Sequence, residues 1–252
     1  QAVGGAGGVG DDVMLLVKLL DAGQRLPVHA HPDGDFAASH VAAAHGKAEA
    51  WYILSPGTVY LSLTQDLTAE ELLRFVENQD ISALLSLMHE VTVDVGDCVF
   101  VPHGVLHAIG PGILLAEVQE PEDLSILLEW EGFDLDGPKD GHLDIGFELA
   151  LSAVEATARS HANIESLIRR GVADANALPE EASPFFRLDK VDTHQTFPAG
   201  FAILIALNGP VHLIMNNGEQ QELARGTTTL IPYTAGDYRV EGSALIARPP
   251  LP

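Results

Sequence analysis

Apolar residues in this chain fall mostly into short runs, separated by Gly, Pro, Asn and Asp, a pattern of strands and turns. Val13 to Leu20 is the first run and ends at Asp21-Ala22-Gly23. A second extended stretch carries His29 and His31 before Pro32-Asp33-Gly34 breaks it. Asp35 is then positioned to cap a short Ala-rich helix, Phe36 to Ala44. Ala48 to Leu54 reads as a strand with Glu49 and Trp51 on one face. Thr58 to Leu63, beyond the turn Ser55-Pro56-Gly57, reads as its hairpin partner. Thr68-Ala69-Glu70-Glu71 has the form of a capping box opening a helix to about Val76, with a second helix from about Ile81 to Met88. That pair interrupts the strands and is expected to wall a cleft.

Strands then return in quick succession: Val91 to Val95, Cys98 to Val101, Leu106 to Ile109, Ile113 to Val118 and Leu124 to Trp130. An acidic Gly/Pro-containing loop, Gly132 to Gly141, closes this part. Ile145 to Ala158 and Ile164 to Arg170 have helical spacing, and Pro179 to Pro184 is a linker. Phe185 to Pro252 is strand and turn again. Each β segment contains a strand ending in an apolar-Pro step, Val101-Pro102 in the first and Ile231-Pro232 in the second, a weak internal repeat. The expected organisation is a β unit over 1–132 with a helical insertion at about 68–88. A helical bridge and linker over 133–184 and a second β unit over 185–252 complete it. The class is mainly β, sandwich or barrel.

Composition narrows the functions rather than the fold. A net charge of −23 and a pI near 4.5 argue against nucleic acid and against an anionic membrane surface. No stretch is apolar and long enough to span a bilayer, and Gln1 to Gly10 has neither the basic flank nor the apolar run of a signal peptide. The expected location is the cytoplasm. The one cysteine, Cys98, sits in an apolar run and reads as a buried, inert thiol.

The candidate chemistry begins with His29-Ala30-His31. Side chains two apart on a strand share a face, so both imidazoles can reach one point. Glu49 and His107 are the candidates to join them, and three histidines with a glutamate suit a divalent transition metal. Glu117 follows the apolar run Ile113 to Ala116, which favours a partly buried carboxylate fit for acid–base work. Lys47, at a strand start, is a candidate for substrate contact. His103 and His142 are read as structural or solvent-facing residues at the rim.

Gly23, five residues, then His29-x-His31 resembles the first half of the cupin signature, and Gly96, five residues, Pro102-x-Gly104-x-x-His107 the second half. Glu49 comes after an inserted helix, and Pro111 stands where the signature ends in asparagine. Val28 to Asp33, Gly46 to Leu54, Val101 to Gly110, Ala116 to Glu120 and Gly209 to Leu251 together resemble the type I phosphomannose isomerases. The resemblance implies a double-stranded β-helix, the cupin jelly roll, with two cupin units in tandem and metal only in the first. It implies a metal-dependent aldose–ketose isomerase that converts mannose 6-phosphate to fructose 6-phosphate. His29, His31, Glu49 and His107 would be metal ligands, with histidine at the first position where the family has glutamine. The metal implied is Zn2+, and Mn2+, Fe2+ or Ni2+ accept the same donors.

Glu117 is the first candidate for proton transfer, with Lys47 orienting a small-molecule sugar or sugar phosphate. The family's arginine, ten residues beyond its glutamate, falls on Leu127. The other cations considered as a phosphate clamp, Lys47, Lys139, Arg187 and Arg248, have no fixed place in the pattern. An isomerase of a non-phosphorylated sugar is therefore an alternative, as are a cupin oxygenase and a non-catalytic sugar-binding cupin.

Overall fold

The computed structural model describes residues 12–251; the Gly-rich start, Gln1–Gly10, behind the targeting expectation lies outside them. The N-terminal part supplies β1 (Leu16–Asp21), β2 (His29–Ala30), β3 (Glu49–Ile53), β4 (Gly57–Leu63) and β5 (Met88–Val93). It continues with β6 (Cys98–Val101), β7 (His107–Ile109), β8 (Leu114–Gln119), β9 (Ile126–Leu127) and β10 (Ile168–Arg169). These form two five-stranded antiparallel sheets, ordered β1-β8-β3-β6-β10 and β5-β4-β7-β2-β9. Trp51, Ile53, Val99 and Leu115 from the first share one core with Val59, Leu61 and Ile109 from the second. Side chains two apart on each strand point into this shared interior and hold the sheets face to face.

The expected hairpin between Ala48–Leu54 and Thr58–Leu63 does not form. β3 pairs with β6 and β8, whereas β4 pairs with β5 and β7 in the other sheet. Ser55-Pro56-Gly57 crosses between the sheets instead, with the Leu54 and Ser55 amides both donating to the Leu114 carbonyl at 2.8 and 3.0 Å. Gly57 is required there: a Cβ would lie 2.5 Å from the Ile113 side chain.

Thr68 caps the helix Ala69–Asn78 through a capping box with Glu71, and Asp80 caps Ile81–Ser86. Their apolar faces, Leu72, Val76, Ile81 and Leu84, pack with Val28, Ala30, Leu106, Ala108, Ile126 and Leu128. Those six alternate along β2, β7 and β9 with His29, His107 and Leu127, so the helices back the outer face of the sheet and do not wall the cleft. Leu84→Ala, which empties a fully buried position, is expected to cost about 2–5 kcal/mol. Urea unfolding should register that loss, while metal content at the inner face stays unchanged.

Two other helix expectations need correction. Asp33 rather than Asp35 caps the turn after the His-x-His strand, accepting from the Phe36 amide, and the segment continues as a wide turn over Ala37–Val41. The stretch 145–158 is helical only at Phe147–Ala150 and, more tightly, Leu151–Ala153. After the helix His161–Ser166 the chain becomes β10 and extends the first sheet beside β6, so no helix reaches Arg170.

The C-terminal part forms one antiparallel sheet from β11 (Ala175–Asn176), β12 (Arg187–Val191), β13 (His194–Phe197) and β14 (Ala202–Met215). It is completed by β15 (Gln220–Leu223), β16 (Thr228–Ile231) and β17 (Tyr238–Arg248). Register shifts near Asn208 bend β14 so that β17 follows it on both arms. The sheet curls around its own core of Phe197, Leu204, Leu213, Tyr238 and Ile246. Phe186, Leu188, Ile205 and Leu245 join the other core, with the Phe186 ring 6.3 Å from Phe100 on the first sheet. The architecture is mainly β, antiparallel and cupin-like.

Candidate active site

Register alone brings His29, His107 and Leu127 into one row. His29 stands opposite His107 on one side and Leu127 on the other, so all three share the inner face. His31 is held beyond the end of β2 by the Gly104 amide, which donates to the His31 carbonyl at 2.7 Å. Gly104 sits at φ +76, a conformation that favours glycine, so the Pro-x-Gly of the second half-motif has a positional reason. From the facing sheet Glu49 and Trp51 point inward, with Gln119 opposite Glu49 and Glu117 opposite Trp51.

The imidazoles form one cluster, each offering a nitrogen within 4.8 Å of the others. Every Nδ1 is committed to a backbone carbonyl: His29 to Pro27 at 2.8 Å, His31 to Leu124 at 2.6 Å and His107 to Val105 at 2.8 Å. A carbonyl only accepts, so in each case Nδ1 carries a proton, and it is Nε2 that faces inward, where a neutral ring offers its lone pair. Burial keeps His31 neutral, with its pKa lowered to about 4, and holds His29 well below its usual value.

Glu49 brings its carboxylate into this cluster, Oε2 lying 3.1 Å from His31 Nε2 and Oε1 3.3 Å from His107 Nε2. Trp51 Nε1 donates to Oε1 at 2.9 Å, and Lys47 Nζ donates to Oε2 at 2.8 Å and to His31 Nε2 at 3.0 Å. Although burial opposes charge on Glu49, the Lys47 ammonium beside it keeps its carboxyl well below the ordinary value. Lone pairs set against a carboxylate call for a cation between them. Lys47 meets part of that demand at His31; His107 Nε2 is buried and has no hydrogen-bond partner. Nitrogen and oxygen donors of this kind fit a divalent transition metal.

Glu117, also buried, is pushed up to about 7 by its desolvation and then by the negative charge of Glu49. Lys18, opposite it on β1, lies 3.7 Å from Glu117 Oε1 and 2.9 Å from Asp123 Oδ1. Lys18 is not among the residues the sequence pattern singles out, and its only signal there is a lysine inside the apolar run Val13 to Leu20. His103 bonds Glu120 at 2.6 Å and packs edge-on against Phe185, and the same Glu120 oxygen accepts the Ala48 amide beside Lys47. His142 bonds the Pro138 carbonyl, and Lys139 is exposed beside Asp140. Arg187 and Arg248 lie in the C-terminal sheet. Cys98 is buried, its thiol pushed up to about 12 by desolvation.

Fold and site together define a cupin-like protein with a three-histidine, one-carboxylate centre inside its first β unit. No protein-family model matches the chain. The mannose-6-phosphate isomerase ManA of Bacillus subtilis (strain 168) is 30% identical over 248 residues, covering 93% of this chain and 74% of that protein. The mannose-6-phosphate isomerase of Streptococcus mutans serotype c is 29% identical over 238 residues, 90% of this chain and 71% of that protein. A crystal structure of the mannose 6-phosphate isomerase from Bacillus subtilis superposes with a TM-score of 0.72 at 22% identity, covering 96% of this chain and 76% of that one. The chain belongs to the mannose-6-phosphate isomerase family.

Proposed function

We propose that this chain is a metal-dependent aldose–ketose isomerase that interconverts mannose 6-phosphate and fructose 6-phosphate, working in the cytoplasm. Its architecture on this reading is a bicupin: a metal-bearing unit over 1–132 and a metal-free unit over 185–252, with the bridge over 133–184 lending β10 to the first sheet and β11 to the C-terminal one. The carrying observation is the convergence of three inward Nε2 lone pairs and the Glu49 carboxylate beside Lys47, in a member of this family. His29, His31, Glu49 and His107 hold the metal, zinc first among the candidates. When bound, a divalent cation supplies Lewis acidity toward the sugar carbonyl and its neighbouring hydroxyl.

The remaining chemistry belongs to the chain. Isomerisation moves a proton between C2 and C1, and Glu117 takes it from one carbon and returns it to the other. A carboxyl raised to about 7 exists in both forms near neutrality, as a group that must accept and release a proton requires. Lys47 donates to a substrate oxygen and balances negative charge that develops there. Lys18, at the edge of the same face, adds positive charge for an anionic substrate.

The test is metal analysis followed by turnover of a panel of phosphorylated and free aldoses and ketoses under nitrogen. Isomerisation without oxygen supports the proposal. Oxygen consumption with bound iron, or sugar binding without turnover in the metal-loaded chain, rejects it in favour of an oxygenase or a binding module.

One observation favours a second substrate class. Leu127, directly opposite His29, puts an aliphatic side chain where the family carries arginine, and this fits a sugar without phosphate. Leu127→Arg is expected to raise kcat/KM for mannose 6-phosphate by about tenfold or more, the scale of a charge-assisted phosphate contact, and to leave free mannose unchanged. Equal effects on both sugars reject a phosphate role at this position.

A further inference from the structure

We propose a second ligand site, for a phosphoryl oxyanion, between Arg187 and Arg248 in the C-terminal β unit. The two arginines stand directly opposite each other on β12 and β17. Like charges in that relation repel, and this chain has only 13 Lys and Arg against 36 Asp and Glu. Arg248 donates from Nη2 to Asp189 Oδ2 at 2.6 Å, and its guanidinium lies 4.9 Å from the Phe197 ring centroid. Arg187 donates from Nε to the Pro249 carbonyl at 2.7 Å. Two guanidiniums and one carboxylate leave one positive charge uncompensated.

Donors are left over as well as charge. Among the described residues, Arg248 Nε is buried without an acceptor, and the Nη groups of Arg187 make no hydrogen bond. A buried donor left unpaired is costly, so this arrangement asks for an acceptor. A cavity of about 240 Å³ opens at this point, and Asn176, Ser183, Arg187, Asp189 and Arg248 provide its polar lining. Burial and the neighbouring Arg248 hold Arg187 below the ordinary guanidinium value, and a bound anion offsets the repulsion between the two guanidiniums.

The ligand class follows from the donor count. Asp189 already takes one edge of Arg248, so a second flat carboxylate would use only one of the forks that remain. A tetrahedral phosphoryl group can accept from both guanidiniums at once. Inorganic phosphate and a sugar phosphate both present that group. The site is separate from the histidine cluster and does not depend on metal.

The experiment is calorimetric titration of the metal-stripped full chain with inorganic phosphate, mannose 6-phosphate and mannose, repeated with Arg187→Gln and Arg248→Lys. The parent is expected to bind both phosphorylated compounds and not mannose. Arg187→Gln should weaken that binding by about tenfold or more, the scale of charge-assisted hydrogen bonds. Arg248→Lys, which keeps a cation for Asp189 but loses the fork, should weaken it too. Tighter binding of the ester supports the site with sugar phosphate as ligand, and equal affinity supports it with the phosphate group alone. Unchanged phosphate affinity in a folded Arg187→Gln chain, or no phosphate binding by the parent, overturns the proposal.

Discussion

His107→Ala is expected to strip the bound divalent metal from the chain and reduce isomerase activity to background. Three observations set the size of the effect. His107 is fully buried, its ring is fixed by the Val105 carbonyl, and its Nε2 lone pair has no partner in the protein. Losing an outer-shell partner of a metal ligand already costs about 10–100-fold in affinity. Losing the ligand itself should therefore exceed about 100-fold, or roughly 2.7 kcal/mol. Metal analysis after dialysis checks the loss, and His89→Ala is the control. His89 bonds the Arg159 carbonyl away from the cluster, so its replacement should leave metal content intact. A His107→Ala chain that retained full metal and activity would remove the four-ligand centre from this account.

Glu117→Gln is expected to lower kcat by about 10²–10⁴-fold, the usual contribution of a positioned acid or base. The same change should stabilise the metal-free chain at alkaline pH. Folding raises the Glu117 carboxyl from 4.5 to about 7, so the folded state holds its proton more tightly than the unfolded one. The associated stability is fully present below pH 4.5 and is lost as pH rises through about 7. The loss amounts to about 3 kcal/mol. Glutamine carries no such penalty, so the variant and parent should match near pH 4 and diverge by about 3 kcal/mol near pH 8. Urea unfolding at the two pH values measures this directly. Metal loading should shrink the gap, because a nearby divalent cation favours the ionised carboxylate. A gap that is the same at both pH values would contradict the burial argument for Glu117.

The parts of this molecule legible in the sequence are those where local spacing decides geometry. His29 and His31 share a face because they are two apart, and the capping box at Thr68 starts its helix where the pattern puts it. Gly104 marks a turn that only its φ explains once the structure is seen. Pairing was harder to read, because β3 and β4 alternate like a hairpin and are separated by turn residues. Whether such a turn doubles back or crosses to a second sheet depends on contacts with Ile113 and Leu114, more than fifty residues away. The insertion's side of the sheet was equally hidden. Amphipathic helices require an apolar surface, and Val28, Leu106 and Ile126 supply one only after β2, β7 and β9 have assembled. Lys18 escaped notice because a single lysine in an apolar run looks like a solvated edge until β8 places Glu117 opposite it.

The metal dependence of the isomerase is tested most directly by a titration of the metal-stripped chain with zinc while conversion of mannose 6-phosphate to fructose 6-phosphate is followed. Activity is expected to be absent at the start, to rise in proportion to added metal and to level off at one equivalent per chain. Full turnover by the stripped chain, or none at any metal level, would contradict it.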